Sequence, residues 1–147
     1  MSVRPKDLLT CAEMRALGLH APRLLVELEA LHGADAVRRL VAAAGGLKIK
    51  LPTGEAVEAS VIAERCGADV AAFLAARLGP GEHDIPLGPR AARAQTVAAV
   101  RAALRRGESV QSVAAQLGVT RRNVTRIRAS LLRAGAVPAA ATEANPR

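Results

Sequence analysis

An ungapped internal repeat with a period of 34 residues constrains this chain more than any other feature. Gly33-Ala34-Asp35 returns as Gly67-Ala68-Asp69, and at the same offset of 34 Leu28 matches Ile62, Leu40 matches Leu74, Gly45 matches Gly79, Leu51 matches Ile85 and Pro52 matches Pro86. Each unit therefore has one plan. A short helix ends near Gly33 or Gly67. A second helix follows, with Asp35 or Asp69 placed to cap or complement its N-terminus. It stops at Gly45 or Gly79, glycine being suited to a left-handed C-cap. A short extended piece then runs to a proline. Two units are fewer than the three or more that a helical solenoid needs.

The extended piece of the first unit, Leu47-Lys48-Ile49-Lys50-Leu51, alternates with period 2 and reads as a half-buried strand. Its counterpart, Gly81-Glu82-His83-Asp84-Ile85, alternates poorly, which leaves both a strand and a loop open there. A single strand is unstable without a partner for its backbone groups. The expected partner is a second copy of the chain, giving a homodimer joined by an intermolecular ribbon through Leu47, Ile49 and Leu51. The alternative is pairing with residues 83–87 of the same chain.

Charge separates the rest of the chain from these units. The net charge of +8 is not spread evenly: residues 90–133 hold ten arginines and one acid, Glu108 (local charge +9), while the remainder holds 11 basic and 12 acidic residues (−1). Charge gathered in one small module is the footprint of a polyanionic partner. The apolar half of the composition is mainly Ala, Leu and Val, with Phe73 as the one aromatic. That favours helix over a large β-sandwich. It also removes the aromatic platforms on which single-stranded nucleic acids stack.

After the linker Gly88-Pro89-Arg90, a helix is expected over 91–106, with Ala94, Val97, Val100 and Leu104 on one face and Gly107 at its end. Ser109 is a natural N-cap for a short helix from Val110 to Leu117. Gly118-Val119 makes a tight turn, and Thr120 caps a last helix from Arg121 to Arg133. This is the template of a helix-turn-helix. Ala114 sits where two helices touch, and Gly118 occupies the turn position that favours positive φ. Val113, Leu117, Val119, Val124 and Ile127 are apolar where the helices must lock together. The second helix of such a motif reads base edges in the major groove with its N-terminal residues. The candidates here are Thr120, Arg121, Arg122, Asn123, Thr125 and Arg126, with Ala129 also outward. Ser109, Gln111, Ser112, Arg90 and Arg93 are candidates for phosphate contacts, which position the module without reading sequence.

Gly45-Gly46-Leu47-Lys48-Ile49-Lys50-Leu51-Pro52, followed by the C-terminal residues Arg101 to Ile127, resembles the Mor family, the middle-operon regulators of Mu-like bacteriophages. The resemblance spans about residues 23–133. It implies a dimeric transcription activator with an N-terminal dimerisation region whose strands pair between subunits, acting with host RNA polymerase.

The expected architecture is mainly α. Residues 1–22 form a helical arm and 23–88 a dimerisation region of two 34-residue units with a short strand. Residues 89–135 form the helix-turn-helix domain, and 136–147 a disordered, Pro/Ala-rich tail. The expected function is sequence-specific binding of double-stranded DNA in transcription regulation. An architectural protein binding duplex with little sequence preference is the alternative. No carboxylate triad, P-loop or nucleophile with a neighbouring base is legible, so an enzyme is not expected. Cys11, Cys66, His20, His32 and His83 lack metal-ligand spacing, and neither metal nor cofactor is expected. The absence of a signal-like apolar core or a run approaching ~18 apolar residues leads to an expectation of a cytoplasmic, nucleoid-associated protein in a bacterial host, away from membranes.

Overall fold

The computed structural model describes residues 7–135. The expected tail, 136–147, lies outside the described residues. The chain is mainly helical with one two-stranded antiparallel sheet. The elements, in chain order, are α1 (Cys11–Ala16), α2 (Arg23–His32), α3 (Ala34–Ala44), β1 (Lys48–Leu51), α4 (Val61–Cys66), α5 (Ala68–Leu78), β2 (Gly81–Asp84), α6 (Ala92–Arg105), α7 (Val110–Leu117) and α8 (Arg121–Arg133). Short 3-10 turns lie at Gly54–Val57 and Gly88–Arg90.

The repeat is realised in three dimensions. Units α2–α3–β1 and α4–α5–β2 each bend between their helices at one glycine, Gly33 (φ 90°) or Gly67 (φ 100°). Only glycine reaches such φ values without cost. Gly67 meets a second demand, because a Cβ there would collide with the Arg39 guanidinium. Asp35 and Asp69 lie in the first turns of α3 and α5, where they complement the helix dipole without acting as side-chain caps. The repeat-matched pairs Leu28 and Ile62, Leu40 and Leu74, and Leu51 and Ile85 are all buried in one shared core.

The sequence leads to a partner for β1 in a second chain, with a partner in the same chain as the alternative. The strand takes the alternative. Residues 81–84 form β2, and β1 pairs with it inside the same chain. Ile49 and Leu51, assigned to a dimer ribbon, are instead buried in the core of their own chain, whereas Leu47 is exposed. The physical requirement, a partner for the strand's backbone, was right. The repeat supplies that partner in cis.

Polar contacts join the two units. Arg39 of α3 donates to Asp69 Oδ1 and Oδ2 (3.1 and 2.9 Å) and to the Cys66 carbonyl that ends α4. Arg77 of α5 bonds Glu27 of α2, which also accepts from Arg23 at 2.9 Å. These exposed ion pairs define register more than they add stability. Burial pushes the Cys11 thiol up to about 12, with the Glu29 carboxylate adding to the effect, so it stays protonated at neutral pH.

The hydrogen bonds from Arg39 hold the Asp69 carboxyl down to about 2 from an ordinary 3.8. A depressed carboxylate contributes stability above its unfolded pKa and loses it as pH falls through the folded value. The melting-temperature gap between the wild type and Arg39→Met should therefore be constant above about pH 4 and close between pH 4 and 2. A gap that stays constant to pH 2 would show that Arg39 does not hold Asp69.

Candidate nucleic-acid interface

The C-terminal third packs as a three-helix unit around a second core that includes Val97, Val100, Leu104, Val113, Ala114, Val124, Ile127 and Leu131. Its ends are where the side chains call for them. Ser109 Oγ accepts from Ser112 N–H at 3.2 Å to open α7, and Thr120 Oγ1 accepts from Asn123 N–H at 3.1 Å to open α8. Between them Gly118 is left-handed (φ 65°, ψ 31°). Its N–H and that of Val119 both return to the Ala114 carbonyl. Ala114 is buried at this junction, as the tight approach of the two helices requires.

This core is not closed by α6–α8 alone. Leu9, just before α1, and Met14 on α1 are buried in it, while Cys11, also on α1, is buried in the first core. The arm is thus a wedge between the two cores. Two carboxylates hold it, Glu29 from outside and Glu13 from within. Glu29 of α2 accepts from the Cys11 and Ala12 N–H groups (2.7 and 3.1 Å), satisfying free donors at the start of α1. Glu13 closes a capping box with Thr10. Glu13 Oε2 also lies 2.8 Å from Arg101 Nη1, although that nitrogen is not angled to donate a hydrogen bond. Arg101 Nη2 donates to the Asp7 carbonyl at 3.3 Å.

Arg101 is only 4% exposed. It contributes to the local charge but belongs to the scaffold. Arg90, assigned to phosphate contact, donates to the Val41 and Ala42 carbonyls at 2.9 and 3.4 Å, at the C-terminus of α3. A cation there satisfies free acceptors and complements the dipole. Neither role was read from sequence. The signals for Arg101 were present: it falls one turn after Val97 and three residues before Leu104, on the buried stripe, and Thr10-x-x-Glu13 is a capping-box spacing.

The remaining candidates converge on α8. Thr120, Arg121, Arg122, Thr125 and Arg126 are exposed, and Asn123 is half-buried. Arg122, Arg126 and Arg133 follow one ridge, with the small residues Thr125 and Ala129 beside it. Small side chains let a helix backbone approach a surface closely while the arginines reach past them. Along one flank of α8 runs a groove of about 410 Å³, lined by Asn123, Arg126 and Ser130, by Arg93 and Thr96 of α6, and by Leu17 and Leu19 after α1. Arg93 and Arg126, assigned to positioning and to reading, thus share one groove. Arg126 Nη2 donates to Asn123 Oδ1 at 2.7 Å, so Asn123 holds an arginine rather than standing free. Gln111 is exposed at the start of α7, whereas Ser112 is half-buried and accepts from Gln116 at 3.1 Å.

Arg121 and Arg122 occupy the first turn of α8, which has no acid. Cations at a helix N-terminus oppose its dipole by about 0.3–1 kcal/mol each. That local cost is unrelieved within the described chain. Among the described residues no group of three or more His, Cys, Asp or Glu side chains could hold a metal, and no helix is long and apolar enough to cross a membrane. No protein-family model, curated protein or solved structure matches the chain.

Two stability predictions follow from this geometry. A Cβ at Gly118 would meet open space, so its substitution is penalised through φ alone. Gly118→Ala should cost about 1–2 kcal/mol and Gly118→Val more, read by chemical denaturation; unchanged stability in Gly118→Val would refute the left-handed turn. Glu13→Gln leaves the Arg101 charge buried and should cost about 1–3 kcal/mol. Arg101→Met removes charge and desolvation together and should cost less. The reverse order would mean that Arg101 acts by packing alone.

Proposed function

We propose that this protein binds double-stranded DNA sequence-specifically to regulate transcription, through a helix-turn-helix formed by α7 and α8. One observation carries the reading. The exposed face of α8 is an arginine ridge, with Arg121 and Arg122 set against the helix's own dipole and no acid in its first turn. A polyanion lining the groove into which α8 inserts would relieve that cost. On this reading α8 enters the major groove with its N-terminal turns toward the bases. Arginine suits the task because its two parallel N–H donors match guanine O6 and N7. Arg93, across the shared groove, meets the phosphate backbone. The resemblance of Gly45–Pro52 and the C-terminal helices to Mor regulators would make this a phage or prophage activator that works with host RNA polymerase, although β1 pairs within its own chain and not between subunits as that resemblance implies.

Binding of variants to a selected duplex and to its scrambled counterpart, across a salt series, tests this. Arg126→Ala should cost about 1–3 kcal/mol on the selected site and relax preference at one base position. Arg93→Ala should weaken both duplexes alike and reduce the salt slope by about one phosphate contact. Equal losses on both duplexes for Arg126→Ala would make the architectural, sequence-tolerant reading the better one.

A further inference from the structure

The register of the sheet carries a symmetry that the repeat alone does not require. Lys48 faces Asp84, Ile49 faces His83, Lys50 faces Glu82 and Leu51 faces Gly81. At the repeat offset of 34, His83 is the counterpart of Ile49, Glu82 of Lys48, Asp84 of Lys50 and Gly81 of Leu47. The central pair therefore joins a position to its own repeat equivalent, and the flanking pairs exchange across it. That is the register of a two-fold dimer, with the axis through Ile49 and His83. The helices obey it too. Packing of α3 on α4 becomes packing of α5 on α2 when the units are exchanged, and both contacts are present.

The strand charges of the two units differ in the sense that suits pairing in cis. Two identical copies of β1 in this register would set Lys48 against Lys50 of the other copy, twice, and like charges directly opposite are destabilising. Here the second unit carries Glu82 and Asp84, so each lysine faces an acid. The free edges keep the repulsion. Ile85 N–H donates to the Leu47 carbonyl, so by alternation the backbone groups of Lys48 and Lys50 point away from β2. A second chain adding to that edge by two-fold symmetry would bring lysines against lysines, and at the β2 edge acids against acids. Charged edges of this kind block self-pairing.

We infer that residues 23–86 are a pseudo-dimer within one chain, and that the protein meets DNA as a monomer, offering one α8 to one asymmetric site instead of two to an inverted repeat. The DNA half of this inference rests on the function proposed above; the pseudo-dimer half does not.

The full chain should sediment as a monomer at micromolar concentration. Selection from a duplex pool with a 25-base-pair random core should enrich a motif without dyad symmetry, bound one chain per duplex. A dimer in solution, or an enriched inverted repeat bound by two chains, would overturn the inference. Absence of any enrichment would remove the DNA reading and leave the pseudo-dimer to be decided by a charge exchange. Glu82→Lys with Asp84→Lys should lower the melting temperature by about 3–6 °C. Adding Lys48→Glu and Lys50→Glu to the same chain should restore it. Mixing a Lys48→Glu/Lys50→Glu chain with a Glu82→Lys/Asp84→Lys chain, refolded together, should restore nothing, because each ribbon is closed within its own chain. Recovery on mixing would mean that the strands pair between chains.

Discussion

A four-residue strand cannot satisfy its backbone alone, and the way β1 meets that demand organises the N-terminal two thirds of the molecule. Antiparallel pairing with β2, its own repeat equivalent, obliges the two units to face each other across an approximate two-fold axis. That orientation brings α3 against α4 and α5 against α2. It also brings the inward positions Ile49, Leu51 and Ile85 onto the floor of one core with Leu28, Ile62, Leu40 and Leu74. Both units contribute side chains to that one core. The glycine bends at 33 and 67 let each unit fold back tightly, and the ion pairs from Arg39 and Arg77 mark where the units meet.

The C-terminal unit is tied to this frame at two points, both of which use arginine. Arg90 reaches back to the carbonyl end of α3, and Arg101 reaches down to Glu13 on α1. Because α1 is itself pinned by Glu29 and has side chains in both cores, it passes the position of the symmetric frame on to α6. The bundled charge of residues 90–133 thus has two parts. Arg101 is buried, Arg90 bonds the end of α3 from the surface, and Arg106 lies 3.3 Å from Glu108. The arginines of α8, with Arg93 beside them, form the largest outward-facing group.

Local chemistry was legible in the sequence wherever the determining residues lie within one or two turns of each other. Ser109, Thr120 and Gly118 set the bounds of α7 and α8, and the repeat glycines set the bends. The partner of β1 was not legible by alternation, because the inward position of β2 is His83 rather than an aliphatic residue, its Nε2 2.9 Å from the Gly79 carbonyl. Comparison with Lys48-Ile49-Lys50 at the repeat offset shows the same out-in-out pattern with its charges reversed. The intramolecular partners of Arg90 and Arg101 were not legible for a different reason. A charge total weighs every arginine alike, and what commits these two is a partner far away in the chain, Val41 in one case and Glu13 in the other.

A two-fold frame that carries a single, unduplicated DNA-reading unit has an energetic consequence on the proposed reading. A symmetric dimer doubles its base contacts on an inverted repeat, so each helix can bind weakly. A monomer has only one helix to read with and must take the rest of its affinity from the phosphate backbone, where each neutralised phosphate contributes a slope of about −0.9 in log K against log salt. The distribution of charge fits that demand. The arginines of α8 extend from its first turn to its last, beyond the N-terminal turns that would reach base edges on this reading. Arg93 and the α6 side of the shared groove would add a second line of contact along one flank. On the proposed reading, arginines placed past the reading turns would matter more to a monomer than to a dimer, which would tie the charge of the C-terminal unit to the symmetry of the N-terminal one.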